Sequence, residues 1–196
     1  MALSETKICN LSLSDIGSTR INDYEADVSE QAIMCRLHFP PTRDALLRSH
    51  WWRFASDRAT LARDATDPDF EWDYQYILPN DFLRMKSIYE NRFSDENIDS
   101  YALEGKRLLT NETEMSIRYI RKVTDVTEFD PLFVQVLVLQ LDLKLITGLA
   151  KTDPELKESI KNDLRLLMPS VRALDRQETN TIGESDLNTW NNARYT

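Results

Sequence analysis

The apolar residues of this chain change their spacing twice, and that change restricts the folds open to it more than any other feature. Leu83 and Met85 alternate with Arg84 and Lys86, and Met115, Ile117 and Tyr119 alternate with Ser116 and Arg118. This is the two-residue rhythm of strands with one buried face. On both sides the spacing returns to threes and fours, the period of helices. A strand-like middle is thus enclosed by helical ends, and no internal repeat is visible.

The helical ends carry their own punctuation. Ser4 is placed to cap a first helix, Leu3 and Ile8 have hydrophobic-staple spacing, Ile8, Leu11 and Ile16 share a face, and Gly17 supplies the stop. Asp27 and Glu30 have the spacing of a capping box for a second helix. Its apolar face runs through Ala32, Cys35, Leu46 and Leu47 toward His50, and Pro40 and Pro41 are expected to kink or split it. Asp130-Pro131 reads as an N-cap followed by proline at the first helical position, opening an apolar run that extends to Gly148. Thr152 to Glu155 opens the last helix in the same way. Leu156, Ile160, Leu164, Leu167, Val171 and Leu174 then form a seam, with Pro169 predicted to bend or end the helix. This seam suits either a neighbouring protomer or an intramolecular bundle. From Glu178 to Thr196 the chain is polar, with Ile182, Leu187, Trp190 and Tyr195 as its anchors, a composition that orders only on docking.

Eleven of the 18 aromatic residues fall between positions 51 and 101, which sets the middle apart from both ends. Residues 54 to 123 are predicted to form an antiparallel meander with loops at 64 to 73 and 91 to 99. Glu104-Gly105-Lys106 is predicted to turn a hairpin, the glycine taking the positive φ that a tight turn needs. The expected fold is therefore α+β. Residues 1–53 and 130–180 form a helical bundle, residues 54–129 an inserted small antiparallel sheet, and residues 181–196 an extended C-terminal arm.

At 196 residues the chain is long enough to bury a substantial core, and 41% hydrophobic with 29% charged residues is the composition of an ordinary folded protein. The net charge of −9 weighs against a protein whose main affinity is for phosphate backbones or anionic lipid. The apolar stretch from Leu132 to Ala150 approaches membrane-spanning length. It carries Asp142 and Lys144 in its second half and Gln135 and Gln140 in its first, so a buried core helix is expected and no membrane association. No basic, apolar leader opens the sequence, so no secretion signal is expected. Cys9 and Cys35 lack metal or redox spacing and read as small buried hydrophobes.

Motifs for chemistry are sparse. His38 and His50 have no H-E-x-x-H or G-x-S-x-G partner and read as structural, and Gly17, Gly105, Gly148 and Gly183 are too isolated for a phosphate loop. Asp64, Asp67, Asp69 and Glu71 suggest calcium only superficially, since Pro68 interrupts them and the glycine turn of an EF-hand loop is missing. No cofactor and no metal are expected, and no catalytic residue. Arg36, Arg43, Arg48, Arg53, Arg58 and Arg63 fall in a segment without lysine, a usage that suits paired contacts with carboxylates of another subunit.

Five blocks carry a resemblance. They are Ile8 to Gly17, Arg43 to Ala62, Leu78 to Met85, Tyr101 to Asn111 and Ile117 to Val134. The most specific parts are Arg43-Asp44-Ala45-Leu46-Leu47-Arg48 leading into Trp52-Arg53-Phe54-Ala55, and Leu78-Pro79-Asn80-Asp81 before a strand. In their order and spacing they resemble the head-to-tail adaptor, or connector, proteins of tailed phages, the tail tubular protein A family of short-tailed phages. The similarity runs from about residue 5 to the region of Arg172. The chain departs from the family pattern at Trp51, where proline is usual, and at Pro40-Pro41.

The resemblance implies a non-enzymatic virion protein that forms a ring of about twelve protomers beneath the portal. Such a ring extends the DNA channel and seats the next tail or nozzle protein. Double-stranded DNA would pass through the lumen without sequence-specific binding, and assembly would take place in the host cytoplasm. On this reading Arg36, Arg43, Arg48, Trp51, Trp52, Trp190 and Tyr195 are the expected subunit or portal interface residues, with core packing the competing role for one of Trp51 and Trp52. The alternative function is a peptidoglycan-degrading hydrolase of the virion, which needs two carboxylates about 5–10 Å apart in a cleft.

Overall fold

The computed structural model describes residues 3–89, 100–149 and 153–177. Among these the fold is α+β, with four α-helices and two antiparallel three-stranded sheets. Helix α1 spans Glu5–Asp15 and α2 Glu30–Ser49; α3 spans Pro131–Gly148 and α4 Pro154–Gln177. Between α2 and α3 lie β1 (Ser56–Thr60), β2 (Tyr74–Ile77), β3 (Phe82–Tyr89), β4 (Ala102–Glu104), β5 (Arg107–Thr110) and β6 (Ser116–Arg121), followed by a short 3₁₀ turn at Val126–Glu128.

The helix ends follow local side-chain chemistry. The Ser4 hydroxyl accepts the Lys7 amide, and Gly17 closes α1 with φ of 63°, a conformation that a side chain would strain. Asp130 accepts the amides of Leu132 and Phe133 ahead of Pro131, and Asp153 accepts those of Glu155 and Leu156. At α2 the cap is Ser29, which takes the Ala32 amide, and not Asp27. The Asp27 carboxylate instead accepts the amides of Asn22 and Ser29, closing the preceding loop and holding its pKa below the usual carboxylate range.

The prolines neither split α2 nor end α4. Helix α2 continues through Pro40 and Pro41, and α4 through Pro169. Each ring removes a single helical hydrogen bond. In α2 that loss is offset by burial on both sides of the pair, with Ala32, Cys35 and Phe39 before it and Thr42, Leu46 and Leu47 after it. In α4, Ile160 and Val171 are buried on either side of Pro169 and anchor the helix across it.

Helix α3 is long and apolar enough to cross a membrane, but here it is the hub of the bundle, with α1, α2 and α4 all packed upon it. Phe133, Val136, Leu137, Leu141 and Leu145 are fully enclosed. The α4 seam turns to the same bundle: Ile160 and Val171 are buried, and Leu156, Leu164 and Leu167 lie half-buried against it. The intramolecular role is thus the one this seam plays. Leu174 stands apart, 49% exposed.

The strand region is not the single meander that the alternation suggested. Its sheets have orders β1-β6-β3 and β2-β5-β4, so sequence neighbours are mostly not spatial neighbours. Only β4 and β5 form a hairpin of the expected kind, turning at Gly105 with φ of 58°. Periodicity reports which face of a strand is buried but not which strand lies beside it, and β6 joins two layers here. Ile117 and Tyr119 face a core shared with Tyr76, Leu78 and Leu108 of the second sheet region, while Ile120 joins the helical core with Trp52, Ala55 and Val123.

Candidate interface residues

The block from Arg43 to Ala62 forms the junction between helices and strands. Helix α2 ends at His50 in extended backbone, and the two tryptophans that follow diverge. Trp52 is 1% exposed. Its indole N–H donates to the Leu46 carbonyl at 2.9 Å, and its ring makes edge contacts with His50 and Phe133. Trp51 is half-buried, with the Arg84 guanidinium 4.0 Å above its ring. The interface role expected of Trp52 is therefore corrected to core packing, because a ring this enclosed has no face left for a partner.

Arg36, Arg43 and Arg48 are also engaged within the chain. Arg36 donates to the Tyr24 carbonyl at 2.6 Å and ties the loop after α1 to α2. Arg43 is 5% exposed and binds Asp44 at 2.8 Å, with Lys122 on the other oxygen of the same carboxylate. An interface role for Arg43 is corrected as well, since it is sealed in an internal ion pair. Arg48 donates to the Leu83 carbonyl, and Arg84 returns a bond to the Arg48 carbonyl at 3.2 Å, so the pair clamps the end of α2 to β3. Trp190 and Tyr195 lie outside the described residues.

His50 and Asp175 were not joined by any sequence signal, being 125 positions apart. The imidazole Nε2 lies 3.0 Å from an Asp175 oxygen, and the second oxygen accepts the Arg53 amide at 3.3 Å. The contact pins the last turn of α4 across the α2–β1 junction, with both side chains largely shielded from water. Asp175→Ala is expected to lower stability by about 1–3 kcal/mol, the usual range for stranding buried partners, and to speed proteolysis near residue 175. Limited digestion with urea unfolding would check both.

Reactive chemistry is poorly placed among the described residues. Cys9 and Cys35 are buried and free; the hydrogen bond between them, with burial, pushes the Cys9 thiol far up and the same bond draws Cys35 down, and neither thiol reaches the surface. Asp64 is held by Arg107 and Asp67 by Arg63, each at 2.7 Å, which accounts for two of the four acids of the 64–71 stretch. Among the described residues no group of three or more His, Cys, Asp and Glu is placed to hold a metal ion. A groove of about 810 Å³ between α2, α3 and α4 is lined mainly by apolar and uncharged groups around His38, Pro41 and Leu143. It gathers no acid–base pair.

The most strongly raised carboxyl is Asp142 on α3, with no exposed surface. Burial pushes its pKa up to about 7, Asp15 raising it further and the facing Ser12 hydroxyl opposing the shift. Neither carboxylate oxygen reaches a hydrogen-bond geometry with a described partner. A substrate has no route to it.

A different concentration of charge lies on the first sheet. Arg58 of β1 stands directly opposite Arg118 of β6, and Lys86 of β3 joins them because a bulge places Lys86 and Ser87 together opposite Arg118. The bulge has a second effect. It sets Ile88 opposite Ile117 in the core, where an unbroken register would have turned it to the other face. With Arg53, Ser56 and Asp57 these residues line a basin of about 400 Å³. The sequence signal was present, since Lys86 and Arg118 are the polar members of the alternating strands. Their convergence depends on strand order, which alternation does not report.

No protein-family model matches this chain, and no curated protein gives a significant match to it.

Proposed function

We propose that this chain is a head-to-tail adaptor subunit of a tailed phage, forming an oligomeric ring between the portal and the next tail component. The observation that carries the reading is where the five resembling blocks fall. Ile8 to Gly17 is α1 with its glycine stop; Arg43 to Ala62 is the junction holding Trp52; Leu78 to Met85 turns into β3; Tyr101 to Asn111 contains the β4–β5 hairpin; Ile117 to Val134 runs from β6 into α3. The resemblance therefore follows the framework of the fold and not scattered surface positions.

Two further features support a binding role. Val28 just before α2 and Ile33 and Leu37 on it are exposed apolar residues, at 86%, 49% and 59%, and Leu166 on α4 is 62% exposed. The raised carboxyl Asp142, by contrast, is enclosed. In a ring of about twelve copies, a charge of −9 on each protomer repels DNA phosphates wherever it faces the lumen, so DNA slides and does not adhere.

Mass photometry of the full chain, alone and mixed with the portal protein of the same phage, tests the proposal. A gain of a ring's worth of subunits on the portal is expected. Deleting residues 183–196 should weaken that attachment while leaving the melting temperature unchanged. Absence of portal binding from low to high salt would overturn the reading.

A further inference from the structure

We infer that the basic basin on β1-β6-β3 receives the acidic loop of residues 67–73 from a second copy of this chain. The inference rests on the ring reading above in that its partner is another protomer. It starts from an imbalance within the sheet. Arg58 and Arg118 face each other across the ladder, where like charges oppose pairing, and Lys86 is bulged onto the same side. Among the described residues, none of these three forms an ion pair. The Arg118 guanidinium lies over the Tyr89 ring, 5.4 Å from its centroid.

The same chain presents the complement. Asp69, Glu71 and Asp73 are exposed, and among the described residues they too lack ion pairs. Phe70 stands among them at 79% exposure, the apolar anchor that an interface loop needs. Glu71 holds φ of 72°, a left-handed conformation unusual for a residue with a side chain, so the tip is kept in a defined shape. The loop is fastened to the second sheet by the Asp64–Arg107 pair, while the basin lies on the face of β6 away from that sheet. One chain therefore cannot close the contact on itself. Two different surfaces meeting head to tail give a contact that repeats from copy to copy and generates rings.

Charge decides between a protein loop and nucleic acid as the occupant. Arg58, Lys86 and Arg118 with Asp57 beside them make a short patch, not a track along a phosphate backbone, and the chain as a whole carries −9. Three free carboxylates around an aromatic ring fit it, and arginine both pairs with carboxylates and stacks on rings.

Charge reversal in the full chain tests the assignment. R58E/R118E and D69K/E71K should each weaken self-assembly by at least about tenfold by mass photometry, with unchanged circular dichroism and melting. The chain carrying all four substitutions should recover assembly, because the complementarity is restored with its sign inverted. Carbodiimide cross-linking of mixed ¹⁴N and ¹⁵N chains should join Lys86 of one copy to residue 69, 71 or 73 of another. Reversal variants that assemble on the portal like the parent would overturn this contact while leaving the ring reading intact. Assembly that follows the charge swap in the absence of any portal binding would keep the contact and remove the adaptor reading. If the basin reversal abolishes binding of a labelled DNA duplex while the loop reversal changes nothing, the basin serves nucleic acid and the inference fails.

Discussion

Trp52→Ala is expected to lower the stability of the fold by about 3–5 kcal/mol, the range for truncating a large buried aromatic. Three losses combine. The ring leaves a cavity bordered by His50, Phe54 and Phe133, whose centroids lie 5.1, 6.2 and 5.0 Å away. The Leu46 carbonyl near the end of α2 loses the indole donor. Phe133, itself packed on Phe54 and Phe129, loses one of its three ring neighbours, so the damage spreads into α3. Trp52→Phe should recover much of the packing and leave a deficit of about 1–2 kcal/mol, chiefly the lost hydrogen bond. Trp51→Ala, one position away, should cost less than about 1 kcal/mol, since it gives up a half-exposed contact with Arg84. Urea unfolding of the three variants would check the order. Equal losses at the two tryptophans would contradict the division of labour described here.

Asp142→Asn is expected to stabilise the protein at alkaline pH and to leave it unchanged in acid. The folded-state pKa of about 7 stands above the ordinary 3.8, so the folded chain holds this proton more tightly than the unfolded chain does. Stability from this group is complete below about pH 4 and is lost as pH rises toward and through 7. Some three units at 1.36 kcal/mol each give about 4 kcal/mol between the two ends of that window. The asparagine variant still buries a polar group with poor partners, which reduces the net gain to about 1–3 kcal/mol above pH 8. The acids with lowered pKa, Asp27, Asp64 and Asp125, titrate alike in both proteins, so the difference between their stability curves reports Asp142. A pH-independent difference would mean that Asp142 is ionised in the fold.

The sequence disclosed what is decided within a few residues. Ser4, Gly17, Gly105, Asp130 and Asp153 act where they were expected, because cap side chains bond backbone two or three positions away and the two glycines take the positive φ of their own turns. Pairing between distant segments was not disclosed. Strand order, the bulge at Lys86 and the Asp175 contact with His50 each join positions that no local period connects. Asp142 shows the limit from the other side. It was visible as a charge in an apolar run, but α3 is apolar around its whole circumference, so no amphipathic stripe told which way the carboxyl would turn. Among the candidate interface residues, Arg43 and Trp52 failed as surface groups because large amphipathic side chains are as useful in a core as on an interface, and only tertiary packing decides between the two.

Strand β6 has a consequence for how the molecule holds together as a machine part. Its two faces belong to different cores, Ile117 and Tyr119 to the sheets and Ile120 to the helices. What looks in the sequence like a detachable insertion is riveted into its host. The second sheet packs on Ile117 and Tyr119 of β6, and Ile120 of the same strand packs in the core that holds α3, so the two layers share one strand. In the ring proposed above, a protomer so built would hand on strain to its neighbours as a lever, and the fit of one subunit would set the tilt of the next.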